Sequence, residues 1–244
     1  MRMKKTLVYL ILAGIIIGLA IGIWLGFGGK QILLSNRSLK VMAYLRAPGR
    51  FKEWQAAALT RCGDAPFLIP TSGLIGYVWK DSFRVGHHHT GLDIFGPEGD
   101  GKTAVYAAYS GYLTRMPGWK SSLIIRIPSD PLHPGEQIWA YYTHLADAEG
   151  NSFIQDAFPM GTSEMYVEAG TLLGYQGNYS GNAMKPVGTH LHFSIVKSDH
   201  NGQFLNETRI ENTIDPSPYF GFDLSAELVG EQIPYCSGDM LYLP

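Results

Sequence analysis

The stretch Thr189-His190-Leu191-His192-Phe193-Ser194-Ile195 decides the fold class of this chain. Its polar and apolar residues alternate without an error. Successive side chains of a β-strand point to opposite faces, so a period of two predicts a half-buried strand and not a helix. Leu191, Phe193 and Ile195 then face a core, while His190, His192 and Ser194 share the other face. At about 3.3 Å per residue, the two imidazoles lie about 7 Å apart along the strand and can both reach one small site. One histidine on a strand is usually structural. Two on the polar face of an otherwise apolar strand point to chemistry.

The same texture extends outward. From Pro66 onward, short β-branched and aromatic runs alternate with Gly, Pro, Asn and Asp clusters, as in an all-β domain. Strands are expected over 103–109, 111–115, 123–127, 137–144, 171–176 and 189–196, with long loops over 128–134 and 147–164. Gly (29) and Pro (14) form about 18% of the 244 residues, against roughly 12% on average. Hydrophobic residues at 45% and aromatics at 12% exclude intrinsic disorder. The net charge of -2 argues against a nucleic-acid partner, because phosphate binding usually needs a basic surface.

Two cysteines exclude a disulfide scaffold or a Cys-rich zinc finger. Cys62 and Cys236 flank the β region. They either form a bridge tying entry to exit outside the cytosol or remain two buried thiols.

Two further histidine elements accompany the first. In His89-Thr90-Gly91-Leu92-Asp93, the i and i+4 residues share one face of either a strand or a helix, and Gly91 disfavours the helix. Imidazole and carboxylate are ligands that catalytic zinc takes. His87 and His88 leave the choice of ligand open apart from the Asp spacing. In Tyr141-Tyr142-Thr143-His144-Leu145, alternation places Ile138, Ala140, Tyr142 and His144 on one face, with His144 at the strand end. His133 and His200 fall in loops and receive no role.

Arg2, Lys4 and Lys5 precede an uncharged apolar run over 7–27. As a helix these 21 residues measure about 31 Å, enough for a bilayer core of about 30 Å. The run exceeds a signal-peptide core and lacks a clear cleavage site, so an uncleaved anchor over 1–27 is expected, with secretion after cleavage as the rival. The positive-inside signal nearly cancels, and the short N-terminus leaves the remainder outside the cytoplasm. Without residues 1–27 the formal charge is -5. The expected divisions are a spacer over 28–65, a β domain over 66–221 and a tail over 222–244. The spacer could hold a short helix using Ile32, Leu33, Leu34, Leu39, Val41, Met42 and Leu45. A further helical turn could run through 53–59.

H-x-x-x-D, Y-x-H-L and H-x-H, in this order over about a hundred residues, resemble the motifs of the lysostaphin/LytM-like zinc metallopeptidases, a family of peptidoglycan endopeptidases. The resemblance extends from about Pro70 to Phe220. It includes Ala104-Val105-Tyr106-Ala107-Ala108, the glycine-rich run Leu173-Gly174-Tyr175-Gln176-Gly177-Asn178, and Asp215-Pro216-Ser217-Pro218-Tyr219-Phe220. It implies a mainly β fold, an antiparallel β-sandwich or open barrel of the duplicated hybrid motif type, here behind one transmembrane helix. It also implies one zinc ion on His89, Asp93 and His192, with His144 and His190 as the catalytic pair. Either histidine could then be the general base. Tyr77 stands where many members carry Arg, and the inserts at 128–136 and 147–165 are longer than usual, which would reshape the groove walls.

Three activities fit this reading. The first is a membrane-anchored endopeptidase cutting peptidoglycan stems or cross-bridges. The second is a non-catalytic wall-binding regulator of another hydrolase. The third is a zinc peptidase acting on another extended peptide.

Overall fold

The computed structural model describes residues 36–81, 87–222, 234, 236 and 240–242. The expected anchor over 1–27 lies outside them. Among the described residues no helix is long and apolar enough to cross a membrane. Residues from Asn36 onward belong to one compact unit.

That unit is mainly β. Thirteen strands are described: β1 (Gln55–Ala56), β2 (Thr60–Cys62), β3 (Gly73–Tyr77), β4 (Leu92–Phe95), β5 (Ala104–Tyr106), β6 (Gly111–Thr114), β7 (Leu123–Ile127), β8 (Ile138–Thr143), β9 (Met165–Val167), β10 (Leu172–Tyr175), β11 (Leu191–Lys197), β12 (Thr213–Ile214) and β13 (Met240–Tyr242). Nine of them form one antiparallel sheet in the order β1-β3-β4-β11-β8-β7-β6-β9, with β12 also on β11. β5–β10 and β2–β13 are separate antiparallel pairs. The sheet stays open, with β1 and β9 at its ends, and no closed barrel forms among the described residues. The second layer is only the β5–β10 pair with loop residues, not a second sheet of equal size.

The core explains why this layer suffices. Leu191, Phe193 and Ile195 from β11, Ile138, Ala140 and Tyr142 from β8, and Leu123, Ile125 and Ile127 from β7 point to one face. They pack on Val105 and Leu173 of the pair and on Phe67, Tyr219 and Phe220. Each fully buried side chain of this size stabilises by about 1.5–3 kcal/mol. The opposite face carries Ile124, Trp139, Tyr141 and Val196, covered by Trp119 and Phe204. Every residue of β8 is therefore buried. The expected alternation marks two kinds of core there, not core against solvent.

The segment expected as a spacer contributes to the unit. Helix α1 (Asn36–Arg46) packs Val41 and Tyr44 onto Leu74 and Phe95. Leu39, Met42 and Leu45, counted in the expected apolar face, are exposed. The buried stripe instead follows Val41 and Tyr44, three residues apart and so on one helix face. The expected helix over 53–59 does not form: a 3-10 turn, Lys52–Trp54, leads into β1, whose backbone pairs with Gly73 and Leu74. At the other end, Cys62 and Cys236 are joined as a disulfide, and β13 pairs with β2.

Candidate metal centre

β11 lies between β4 and β8, and that placement assembles the site. His192 is opposite Asp93 on one side and opposite Thr143 on the other. Close approach of β11 and β4 requires Gly91, where an added Cβ would stand 2.0 Å from the Phe193 carbonyl oxygen. His89 precedes β4 and meets the same point: its Nε2 is 2.9 Å from Asp93 Oδ1 and 3.0 Å from His192 Nδ1. His192 Nδ1 is 2.8 Å from Asp93 Oδ1. These three side chains form the metal-type cluster found among the described residues.

The outer nitrogens set the chemistry of the inner ones. His89 Nδ1–H donates to the Val78 carbonyl at 3.0 Å, so Nε2 is the ring atom turned to the site, and in the neutral ring it is an electron-pair donor. His192 Nε2 lies 2.9 Å from the Ser194 hydroxyl, which can accept its proton and leave Nδ1 bare. Asp93 adds a carboxylate oxygen. Three electron pairs thus converge at 2.8–3.0 Å, an arrangement that repels itself unless a proton or a cation sits among them. Tetrahedral zinc with bonds of about 2.05 Å wants donors about 3.3 Å apart. The donor set and the outer hydrogen bonds fit zinc, and the donors at 2.8–3.0 Å need to open by only about 0.3–0.5 Å to take it.

Two more imidazoles stand beside the trio. His190 Nδ1–H donates to the Gly188 carbonyl at 2.6 Å, and its Nε2 lies 3.4 Å from Asp93 Oδ1. His144 Nδ1–H donates to the Tyr179 carbonyl at 2.7 Å. The His144 and His190 ring centroids are 4.5 Å apart. Strict alternation would have sent His144 into the core with Ile138, Ala140 and Tyr142. Its backbone instead takes the left-handed conformation, φ 70°, which ends β8 and turns the ring onto the site face. Such a conformation costs a non-glycine residue about 1–2 kcal/mol. The Tyr179 bond and the ring contacts offset that cost.

The electrostatics follow. Burial opposes ionisation of Asp93, but His89, His190 and His192 hold its carboxyl well below the usual range. Burial, then His190 and His192, push the His144 imidazole down to about 3. Burial also lowers His192, with His89 and His190 adding to it against the pull of Asp93. For His89, burial is outweighed by the Asp93 carboxylate, and its pKa rises.

Several of the solved structures similar to this chain are M23/LytM peptidase-family proteins. Helicobacter pylori Csd3 is 21% identical with a TM-score of 0.37, the match covering 62% of this chain and 32% of that one. A protein from Pseudomonas aeruginosa assigned to peptidase M23 is 16% identical with a TM-score of 0.39, over 72% of this chain and 59% of that one. A variant of the catalytic domain of the prophage-encoded M23 protein EnpA from Enterococcus faecalis is 21% identical with a TM-score of 0.36, over 62% and 96%. The chain thus spans about a third and about three fifths of the first two. No protein-family model matches the sequence, and none of the curated proteins does. At TM-scores below 0.4 these likenesses decide nothing about chemistry, which rests on the residues of this chain.

The trio opens into a groove of about 440 Å³ lined by Thr90, Trp119, Lys120, Tyr141, Thr143, His144, Tyr179, His192 and Glu207. Its wall from the 116–121 loop is held by buried Arg115, which donates to the carbonyls of Trp119 (3.0 Å) and Phe158 (2.8 Å) and to the Ser152 hydroxyl (2.9 Å). Cys62 and Cys236 do not line it. His88 is exposed, His133 sits on Asp130 and His200 on Asn201. Sequence reading missed the carbonyls of Val78, Tyr179 and Gly188, because every residue has a carbonyl and identity carries no signal. It also missed Arg115 and Glu207, which stand outside any motif.

Proposed function

We propose that the chain is a zinc metalloendopeptidase that hydrolyses peptide bonds in peptidoglycan stems or cross-bridges. The apolar run 7–27 would anchor it in the cell membrane, with the described domain on the extracytoplasmic side. One observation carries the catalytic reading: the donor atoms of His89, Asp93 and His192 converge within 2.8–3.0 Å of one another, with the rings of His144 and His190 beside them.

His89, Asp93 and His192 would hold the ion. When bound, zinc supplies polarisation of the scissile carbonyl and acidification of the attacking water. The chain does the rest. His144 stays neutral at physiological pH and presents Nε2, because Nδ1–H is spent on Tyr179; it can take the proton of the attacking water. His190 likewise presents Nε2. Once protonated, it can donate to the developing oxyanion or to the departing amine. The exchange of these two roles preserves the chemistry. The groove would receive an extended peptide along the β8–β11 face.

The test uses the full chain in detergent micelles on purified peptidoglycan, with fragments read by mass spectrometry. Zinc-dependent release of peptide fragments is expected, and Asp93→Ala should reduce it by more than about 100-fold. Normal release by Asp93→Ala or His144→Ala would refute the mechanism. Zinc binding without cleavage, but with enhancement of a second hydrolase, would favour the regulator.

A further inference from the structure

One acid of the groove has no part in that chemistry. Glu207 lies on the loop after β11, and its half-buried side chain lines the groove. Among the described residues it takes part in no ion pair, whereas Glu164, Glu211 and Asp81 all have basic partners. Burial pushes its carboxyl above the ordinary range. Its own backbone N–H is the donor that offsets this burial; withdrawing a carboxylate from water without a cation costs free energy, so a cation from outside the chain would relieve it.

The surroundings of Glu207 specify that partner. Trp119 and Tyr141 line the same groove, edge to face with centroids 5.9 Å apart. The Glu207 carboxylate acts electrostatically on the Tyr141 hydroxyl. Tyr141 is also 3.2 Å from Ser122 through its hydroxyl. Aromatic rings attract cations through their negative faces, and a carboxylate forms charge-assisted hydrogen bonds with ammonium. Lys120, the basic side chain of the groove, stands over the Tyr179 ring at 5.8 Å, on the wall that holds His144. The groove thus carries one Lys and one Glu side chain, and among the described residues the two form no ion pair with each other.

We propose that Glu207, Trp119 and Tyr141 form a subsite for a primary ammonium group carried by a peptide substrate. The proposal rests on the endopeptidase reading for the identity of that ligand. The Tyr141 ring centroid is 6.5 Å from that of His192. An extended peptide advances about 3.3 Å per residue, so the ammonium belongs to a side chain one or two residues from the bond being cut.

The experiment is isothermal titration of the full chain in micelles, with zinc removed by chelator so that nothing is cleaved. The probes are two tetra-alanine-based peptides with one lysine or one Nε-acetyl-lysine at the same position. The lysine peptide should bind about tenfold more tightly. Glu207→Gln should bring the two within about twofold, and Glu207→Lys should reverse the order, with circular dichroism confirming that each variant is folded. Equal affinities in the wild type, absence of binding, or a preference that survives Glu207→Gln would overturn the subsite. Restoring zinc separates the two ideas. A chain that prefers the lysine peptide but cleaves neither peptidoglycan nor peptide refutes the endopeptidase and leaves the subsite standing. Cleavage without any charge preference does the reverse.

Discussion

Gly91→Ala replaces none of the metal-type side chains and adds one methyl group where β4 approaches β11, so it acts on the spacing of two strands. The methyl carbon would lie 2.0 Å from the Phe193 carbonyl oxygen, 2.8 Å from its carbon and 2.5 Å from the Ser194 hydroxyl. Non-bonded contacts of this kind settle at 3 Å or more, so β11 must retreat from β4 by about 1 Å. Gly91 has no left-handed backbone, so the cost comes from this overlap. Asp93 and His192 stand opposite one another across the same two strands, with their donor atoms 2.8 Å apart. A retreat of that size carries them to nearly 4 Å, beyond what tetrahedral zinc spans with bonds near ~2 Å. It also displaces Ser194, the partner of His192 Nε2. Overpacking should cost about 1–3 kcal/mol of stability, and zinc affinity should drop by about 100-fold. Competition against a chromogenic chelator measures the affinity, and urea unfolding of the metal-free chain measures stability. Wild-type zinc affinity in a folded Gly91→Ala chain would refute the claim that β4–β11 contact sets the donor spacing.

Arg115→Met keeps the aliphatic stem but removes the donors that reach the Trp119 and Phe158 carbonyls and Ser152; with buried acceptors left unpaired it should lower stability by about 2–4 kcal/mol, and a urea midpoint equal to wild type would show that water replaces the guanidinium. His144 gives a pH signature. Its imidazole ionises near about 6.5 unfolded but only near about 3 folded, through burial first and then His190 and His192. Its contribution is complete above the unfolded pKa and is lost as pH falls, because the unfolded chain takes a proton that the folded chain refuses. In chelator, wild type should lose about 2 kcal/mol more than His144→Gln between pH 6.5 and about 5, on urea unfolding; parallel curves would exclude a neutral, buried His144.

The strands that were legible in sequence are those with one apolar face towards the main core. β7 is found over Leu123–Ile127 as expected, and β6, β8, β10 and β11 fall within a few residues of their expected ranges. β3 and β4 escaped because they are short and interrupted: Gly73 and Gly76 break the apolar pattern of Gly73–Tyr77, and Asp93 stands within Leu92–Phe95, whereas β8, equally covered on both faces, is a longer aromatic-rich run. Helix α1 was legible as a helix, but its buried face was not. Val41 and Tyr44 pack inwards while Leu39, Met42 and Leu45 face out, and no residue-level hydrophobicity separates those two stripes.

By itself, the sequence determined which side chains could share a face and which residue types could hold a metal. The alternation of β11 separates Leu191, Phe193 and Ile195 from His190, His192 and Ser194, and the H-x-x-x-D spacing pairs His89 with Asp93. Tertiary structure decided everything that depends on pairing across strands. The register that sets His192 between Asp93 and Thr143, the backbone turn that rescues His144 from the core, and the carbonyls that direct each imidazole inwards are backbone relations. Backbone groups are the same in every residue, so they leave no trace in the order of side chains until the sheet has formed.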